Sequence, residues 1–220
     1  MKAVLFDFGG TLDSDGLTWG DRFFPLYSEA GLAVTREVFN KAFYKSDDNL
    51  PTRFNLDGKG LPETLDLQVG CVLEDVAPDR LDLKTQIAGR FLNQCREAFD
   101  RNRPVLDRLK KKYKLGIVSN FYGNLKDILA DERLNGFFDV VADSTTVGHL
   151  KPSAEIFLYA ANALGAKPGE CVMVGDSIPR DMKGAEDLGM PHALITQNGK
   201  ICCPAGWKIS TLAELERRLS

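Results

Sequence analysis

The chain has 220 residues, of which 44% are hydrophobic and 27% charged, with a formal net charge of −3. That length carries one sizeable core plus a small appended domain, or one large domain, and the composition is ordinary for a soluble globular protein. The charge balance offers no global attraction to nucleic acid or an anionic membrane, and no apolar stretch approaches the ~18 residues a bilayer span needs, so neither partner is expected.

In chain order, the first apolar run, residues 3–8, reads as a strand. It is too short for a signal h-region and is interrupted by Asp7. Further short β-rich runs fall at 115–118, 140–142, 171–174 and 193–195. Continuous apolar runs of this length suit strands buried on both faces of a parallel sheet. About a hundred residues separate the first run from the second, whereas a crossover needs about a dozen. Something is therefore inserted after the first strand. Its aromatic residues, Trp19, Phe23, Phe24, Tyr27, Phe39, Phe43, Tyr44, Phe91 and Phe99, sit in helix-like segments. This predicts a mainly helical cap at 15–97 and a sheet domain built from 1–14 and 98–220. Residues 46–62, rich in Asp, Asn, Gly and Pro, read as a loop in the cap. Asp47, Asp48, Arg53 and Lys59 lie there and either face a cleft or are solvated charges.

The basic run Arg108, Lys110, Lys111, Lys112 and Lys114 reads as a solvated helix end. Helical spacing of Ile156, Phe157, Ala160, Ala161 and Leu164 predicts a helix over 154–164, stopped by Gly165. A weaker helix is expected at 179–188, before Gly189, and a structural one at 212–219. Alternating strand and helix signals predict an α/β fold with a doubly wound parallel sheet. The five cysteines, Cys71, Cys95, Cys171, Cys202 and Cys203, are odd in number and match no disulfide framework or zinc spacing. Reduced thiols in a cytoplasm are expected.

Ligands of open α/β sheets sit beyond the carboxyl ends of the strands. The residues found there are Asp7, Ser119, Asp143 and Asp176, with Lys151 ahead of the 154–164 helix. Apart from Asp143, they make a plausible reaction centre: carboxylates for a metal or nucleophile, a hydroxyl and an ammonium.

Four motifs now stand in order: FDFGGTL at 6–12, IVSN at 117–120, KPSAEIF at 151–157 and GDSIPRD at 175–181. In order, spacing and position the set resembles the haloacid dehalogenase superfamily, and the inserted segment lies where many members carry a helical cap. The resemblance implies a Rossmann-like core and a hydrolase acting through a covalent aspartyl intermediate on a small phosphorylated metabolite. In that scheme Asp7 is the nucleophile. Ser119 donates to a phosphoryl oxygen, and Lys151 offsets negative charge. Gly10, Thr11 and Asn120 bind substrate, with Gly10 allowing a tight turn and Asn120 orienting Asp7 or the substrate. Mg2+ is held by Asp7, the backbone carbonyl of Gly9, Asp176 and Asp181; Asp181 binds it directly, through water, or instead holds Lys151. Nothing decides between monomer and homodimer.

One position departs from the pattern. Most phosphatases of this superfamily carry an acid two residues after the nucleophile, to protonate the leaving group and activate water. Here it is Gly9. A backbone carbonyl for the metal survives; the side-chain acid, a kind of help worth ~10²–10⁴ in rate, does not. Asp13 and Asp15 are nearby in sequence as substitutes. Three readings follow: a phosphatase without the usual acid, a 2-haloacid dehalogenase, whose halide leaving group needs no proton and no metal, or a non-catalytic relative binding a phosphorylated ligand or a protein.

Overall fold

The computed structural model describes residues 1–197 and 206–219; Cys202 and Cys203 lie outside them. Among the described residues, six strands form one all-parallel sheet, with β1 (Ala3–Phe6), β2 (Lys114–Ser119), β3 (Val140–Asp143), β4 (Cys171–Gly175), β5 (His192–Ile195) and β6 (Trp207–Ile209) in the order β3-β2-β1-β4-β5-β6. The apolar runs are continuous because successive side chains enter different cores. Val4, Phe6, Leu115, Ile117, Val172 and Val174 pack on one face. Ala3, Leu5, Val118, Cys171 and Met173 pack on the other. Strand β6 had no apolar run to announce it, being three residues with an exposed Lys208 at its centre.

Four helices fill the long connection after β1: α1 (Trp19–Glu29), α2 (Arg36–Arg53), α3 (Leu61–Val76) and α4 (Lys84–Lys110). Thr18 and Thr35 begin the first two by accepting the N–H of Asp21 and Val38. Their aromatic residues form the core: Phe23 stacks on Phe91 at 3.7 Å, and Phe39 on Phe43. This core runs without a break into that of the sheet, and α4 continues through residue 97 to Lys110, where its basic end is exposed.

The predicted loop at 46–62 is shorter than expected. Residues 46–53 complete α2, and only 54–60 are non-helical before α3. The reason is tertiary: Ser46 and Leu50 are buried, and this packing offsets the i→i−4 hydrogen bond that Pro51 in the last turn does not make.

Beside β3 lie α5 (Leu125–Asp131), whose Leu125, Ile128 and Leu129 join the same core as α4, and the one-turn α6 (Ser144–Val147). Then follow α7 (Ala154–Ala163), a π-type turn at Ile178–Met182, α8 (Lys183–Asp187) and α9 (Leu212–Leu219). Asp143, set apart from the reaction centre by sequence, works as a structural cap. Its carboxylate accepts the N–H groups of Gly123, Leu125 and Thr145.

A buried ion pair fastens the first loop to the helices. Asp13 accepts the Gly10 N–H at 2.6 Å, the Trp19 indole N–H at 2.6 Å and the Arg22 guanidinium at 2.7 Å. The Asp13 and Arg22 side chains are 0% and 5% exposed, and Arg22 lies over the Phe91 ring. Breaking a buried pair strands the remaining charge. Asp13→Ala is therefore expected to cost about 3–5 kcal/mol in urea unfolding. Lys45→Ala, which breaks an exposed pair with Asp75, should cost about 1 kcal/mol or less. Equal losses would contradict the clamp.

Candidate active site

Asp7 follows β1 directly, its N–H still bonded to the Val174 carbonyl of β4. One carboxylate oxygen, Oδ1, receives three donors: the Phe8 N–H at 2.7 Å, the Ser119 hydroxyl at 2.8 Å and the Lys151 ammonium at 2.8 Å. Oδ2 takes no hydrogen bond among the described residues. Asp7, Ser119, Lys151 and Asp176 thus meet as the sequence led one to expect, and all four line one cavity of about 350 Å³.

Lys151 is buried and bridges two acids, reaching Asp181 Oδ1 at 2.6 Å as well as Asp7. Burial pulls its ammonium down, but the charges of Asp181 and Asp7 more than offset that, and it is held above its ordinary range. Asn120 lines the cavity and makes no hydrogen bond to Asp7 among the described residues. It grips the Lys151 backbone instead, donating to the carbonyl at 3.2 Å and accepting the N–H at 2.7 Å. Asp181 has both oxygens engaged, one by Lys151 and one by the Ser177 N–H at 2.9 Å. It is packed so closely that a Cβ on Gly175 would come within 2.3 Å of it.

Gly10 has φ +90°, and a Cβ there would fall 2.7 Å from the Asp176 carboxylate. Its missing side chain makes room for Asp176, not for a substrate. Thr11 is fully buried outside the cavity, its hydroxyl without a partner among the described residues. Of the two suggested substitute acids, Asp13 is consumed by its ion pair, and Asp15 pairs with Arg101 at 2.8 Å. Neither lines the cavity.

The space beside Gly9 is occupied. A Cβ at this position would lie 3.1 Å from the Trp19 indole nitrogen, and that indole is anchored to Asp13. Other lining residues come from places with little local signal: Phe43, Tyr44 and Asp47 on α2, Phe121 and Tyr122 after β2, and Arg180 in the π-type turn. Of the four charged residues assigned to the cap loop, Asp47 faces the cavity, and Arg53 pairs with Glu74 instead.

Asp7, Asp176 and Asp181 each bring a carboxylate oxygen within 4.8 Å of the others. Burial, then repulsion from Asp7 and Asp181, pushes Asp176 well above the usual carboxylate range. Burial pushes Asp181 up to about 6 against the pull of Lys151. Hard oxygen donors carrying excess negative charge fit Mg2+. With Asp181 engaged by Lys151 and Ser177, the oxygens left for direct ligation are Asp7 Oδ2 and the Asp176 carboxylate. The Gly9 carbonyl, which accepts no hydrogen bond among the described residues, adds to them.

The haloacid dehalogenase-like hydrolase family matches residues 1–189. Glyceraldehyde 3-phosphate phosphatase of Methanothermobacter thermautotrophicus is 29% identical over 206 residues, spanning 89% of this chain and 85% of that protein. Pyrophosphatase PpaX of Bacillus cereus is 35% identical over 198 residues, spanning 89% and 83%. The crystal structure of a HAD phosphatase from Thermococcus onnurineus superposes with a TM-score of 0.62 at 30% identity, covering 100% of this chain and 98% of that one.

The raised acid gives a metal test. A carboxyl whose folded pKa exceeds its unfolded one binds more protons when folded. Asp176 therefore costs no stability below its unfolded value near 3.8, and its cost grows as pH rises through the raised folded value. Asp176→Asn should raise the Tm of the metal-free protein at pH 8. The gain should be about 2–4 °C per kcal/mol of repulsion relieved. It should also remove the Tm gain expected from Mg2+ in the wild type. A magnesium response unchanged in Asp176→Asn would contradict the site.

Proposed function

The chain belongs to the haloacid dehalogenase-like hydrolases, and on that premise we propose that it is a magnesium-dependent phosphatase of small phosphate esters, working through a covalent phosphoaspartate on Asp7. The observation that carries this reading is the Asp7 carboxylate itself. It lines the cavity and is fixed through Oδ1 by Ser119 and Lys151.

Asp7 attacks phosphorus, the ester P–O bond breaks, and an acyl phosphate forms; water then releases phosphate and restores the carboxylate. Lys151 and Ser119 are placed to donate to phosphoryl oxygens as charge shifts onto them. Asn120 holds the Lys151 backbone, and Asp181 aims its ammonium. When bound, Mg2+ supplies positive charge that lets an anionic nucleophile approach an anionic phosphoryl group. The insert at 15–97 acts as a cap, since Trp19, Phe43, Tyr44 and Asp47 wall the cavity opposite the strand ends. Among the described residues no helix is long and apolar enough to cross a membrane, and free Cys71, Cys95 and Cys171 suit a cytoplasmic setting.

Gly9 favours a second reading, displacement of halide from a 2-haloacid. The cluster of three carboxylates has no work in that metal-independent reaction, which leaves the phosphatase as the better account.

Purified protein with Mg2+ is expected to release phosphate from an activated aryl phosphate. Asp7→Asn or a chelator should reduce this to background, and Lys151→Met should lower kcat by about 10²–10³. Release that survives Asp7→Asn would refute the covalent route. Chloride release from 2-haloacids without metal, in a protein inert on phosphate esters, would install the second reading.

A further inference from the structure

The position where a leaving-group acid normally stands is not merely empty of a carboxyl but backed by an indole, so a proton donor must come from elsewhere on the cavity wall. Among the described residues lining it, the carboxyl groups are Asp7, Asp176 and Asp47. The first two belong to the nucleophile and metal cluster. Asp47 projects from the cap helix α2.

Its setting is that of a held acid. The Tyr122 hydroxyl, three residues past Ser119, donates to Asp47 Oδ1 and so ties α2 to the loop after β2. Asp47 Oδ2 has no hydrogen bond among the described residues. On α3 the buried Gln68 amide stands beside the Tyr122 hydroxyl. Burial raises the Asp47 pKa, with a small addition from Asp48. The Tyr122 bond and the charge of Arg180 oppose it without cancelling it. These three, Tyr122, Arg180 and Asp48, are the titratable or charged groups acting on Asp47.

We propose that Asp47 is the general acid and base of the reaction, doing from the cap what the residue at position 9 cannot. This rests on the phosphatase reading above. As Asp7 bonds to phosphorus, the ester P–O electron pair passes to the leaving oxygen. That oxygen takes the proton from Asp47 Oδ2 and departs as an alcohol. The Asp47 carboxylate then removes a proton from the water that attacks the acyl phosphate. Asp7 is released, Asp47 is protonated again, and the sum is ester plus water to alcohol plus phosphate. The role also gives the Tyr122 bond a purpose. An acid carried on a cap must be locked to the core to hold its distance from the phosphoryl group.

Two substrates separate this role from a structural one. Butyl phosphate needs its leaving oxygen protonated, whereas 4-nitrophenyl phosphate does not. With Mg2+, Asp47→Asn should lower kcat/KM for butyl phosphate by about 10²-fold or more, and for 4-nitrophenyl phosphate by less than about 5-fold. The fall in butyl phosphate turnover as pH rises, when the acid ionises, should vanish in Asp47→Asn. In Tyr122→Phe, which deprives the ionised form of a hydrogen bond, that fall should move to higher pH. Equal losses on both substrates in Asp47→Asn, no loss on butyl phosphate, or an unmoved profile in Tyr122→Phe would overturn the role of Asp47 while leaving the phosphatase reading intact. A wild type inert on both substrates would overturn both.

Discussion

Three carboxylates and one ammonium, Asp7, Asp176, Asp181 and Lys151, are brought together where β1 and β4 end. Their formal sum is −2, most of it withdrawn from water. Interactions among buried charges are strong, and a surplus of one sign is costly. Much of the surrounding structure manages that cost. Lys151 spans two of the acids, the Ser119 hydroxyl and the Phe8 and Ser177 N–H groups donate to their oxygens, and Asn120 fixes the backbone that carries the ammonium. Glycine at 10 and 175 lets the main chain lie against Asp176 and Asp181 where any side chain would collide. The surplus that remains is negative charge that a divalent cation would balance.

The cap is tied to this cluster by polar as well as apolar contacts. Asn124 donates to the Lys59 carbonyl and the Thr64 hydroxyl, Asp127 accepts the Gly58 N–H, and Tyr122 reaches Asp47. On the opposite side, Asp13 holds Trp19 and Arg22 together. The indole so placed fills the space beside Gly9. The change at position 9 and the aromatic wall of the cavity are therefore parts of one arrangement, in which hydrophobic surface replaces a carboxyl next to the nucleophile.

Much of the sheet was legible because parallel strands buried on both faces leave an unbroken apolar run, as at β1, where Ala3 and Leu5 serve one core and Val4 and Phe6 the other. Asp7, Ser119, Lys151 and Asp176 could be found because they fall directly after strands or ahead of a helix on a common edge. What escaped was decided by tertiary contacts. Residues 46–53 carry turn-forming chemistry yet stay helical because Leu50 is buried. Asn120 finds a backbone 31 positions away, and Thr11 turns into the core. Asp47 and Asp48 are adjacent acids with no local difference, and only folding sets Asp47 toward the cavity.

The central claim is that Asp7 bonds to phosphorus. Its most direct measurement is to quench the protein during turnover with Mg2+ and an aryl phosphate, reduce it with borohydride and map the peptides. The account predicts that Asp7, and no other acid, is reduced to homoserine, and only when substrate was present. Steady phosphate release with Asp7 left unmodified under those conditions would contradict it.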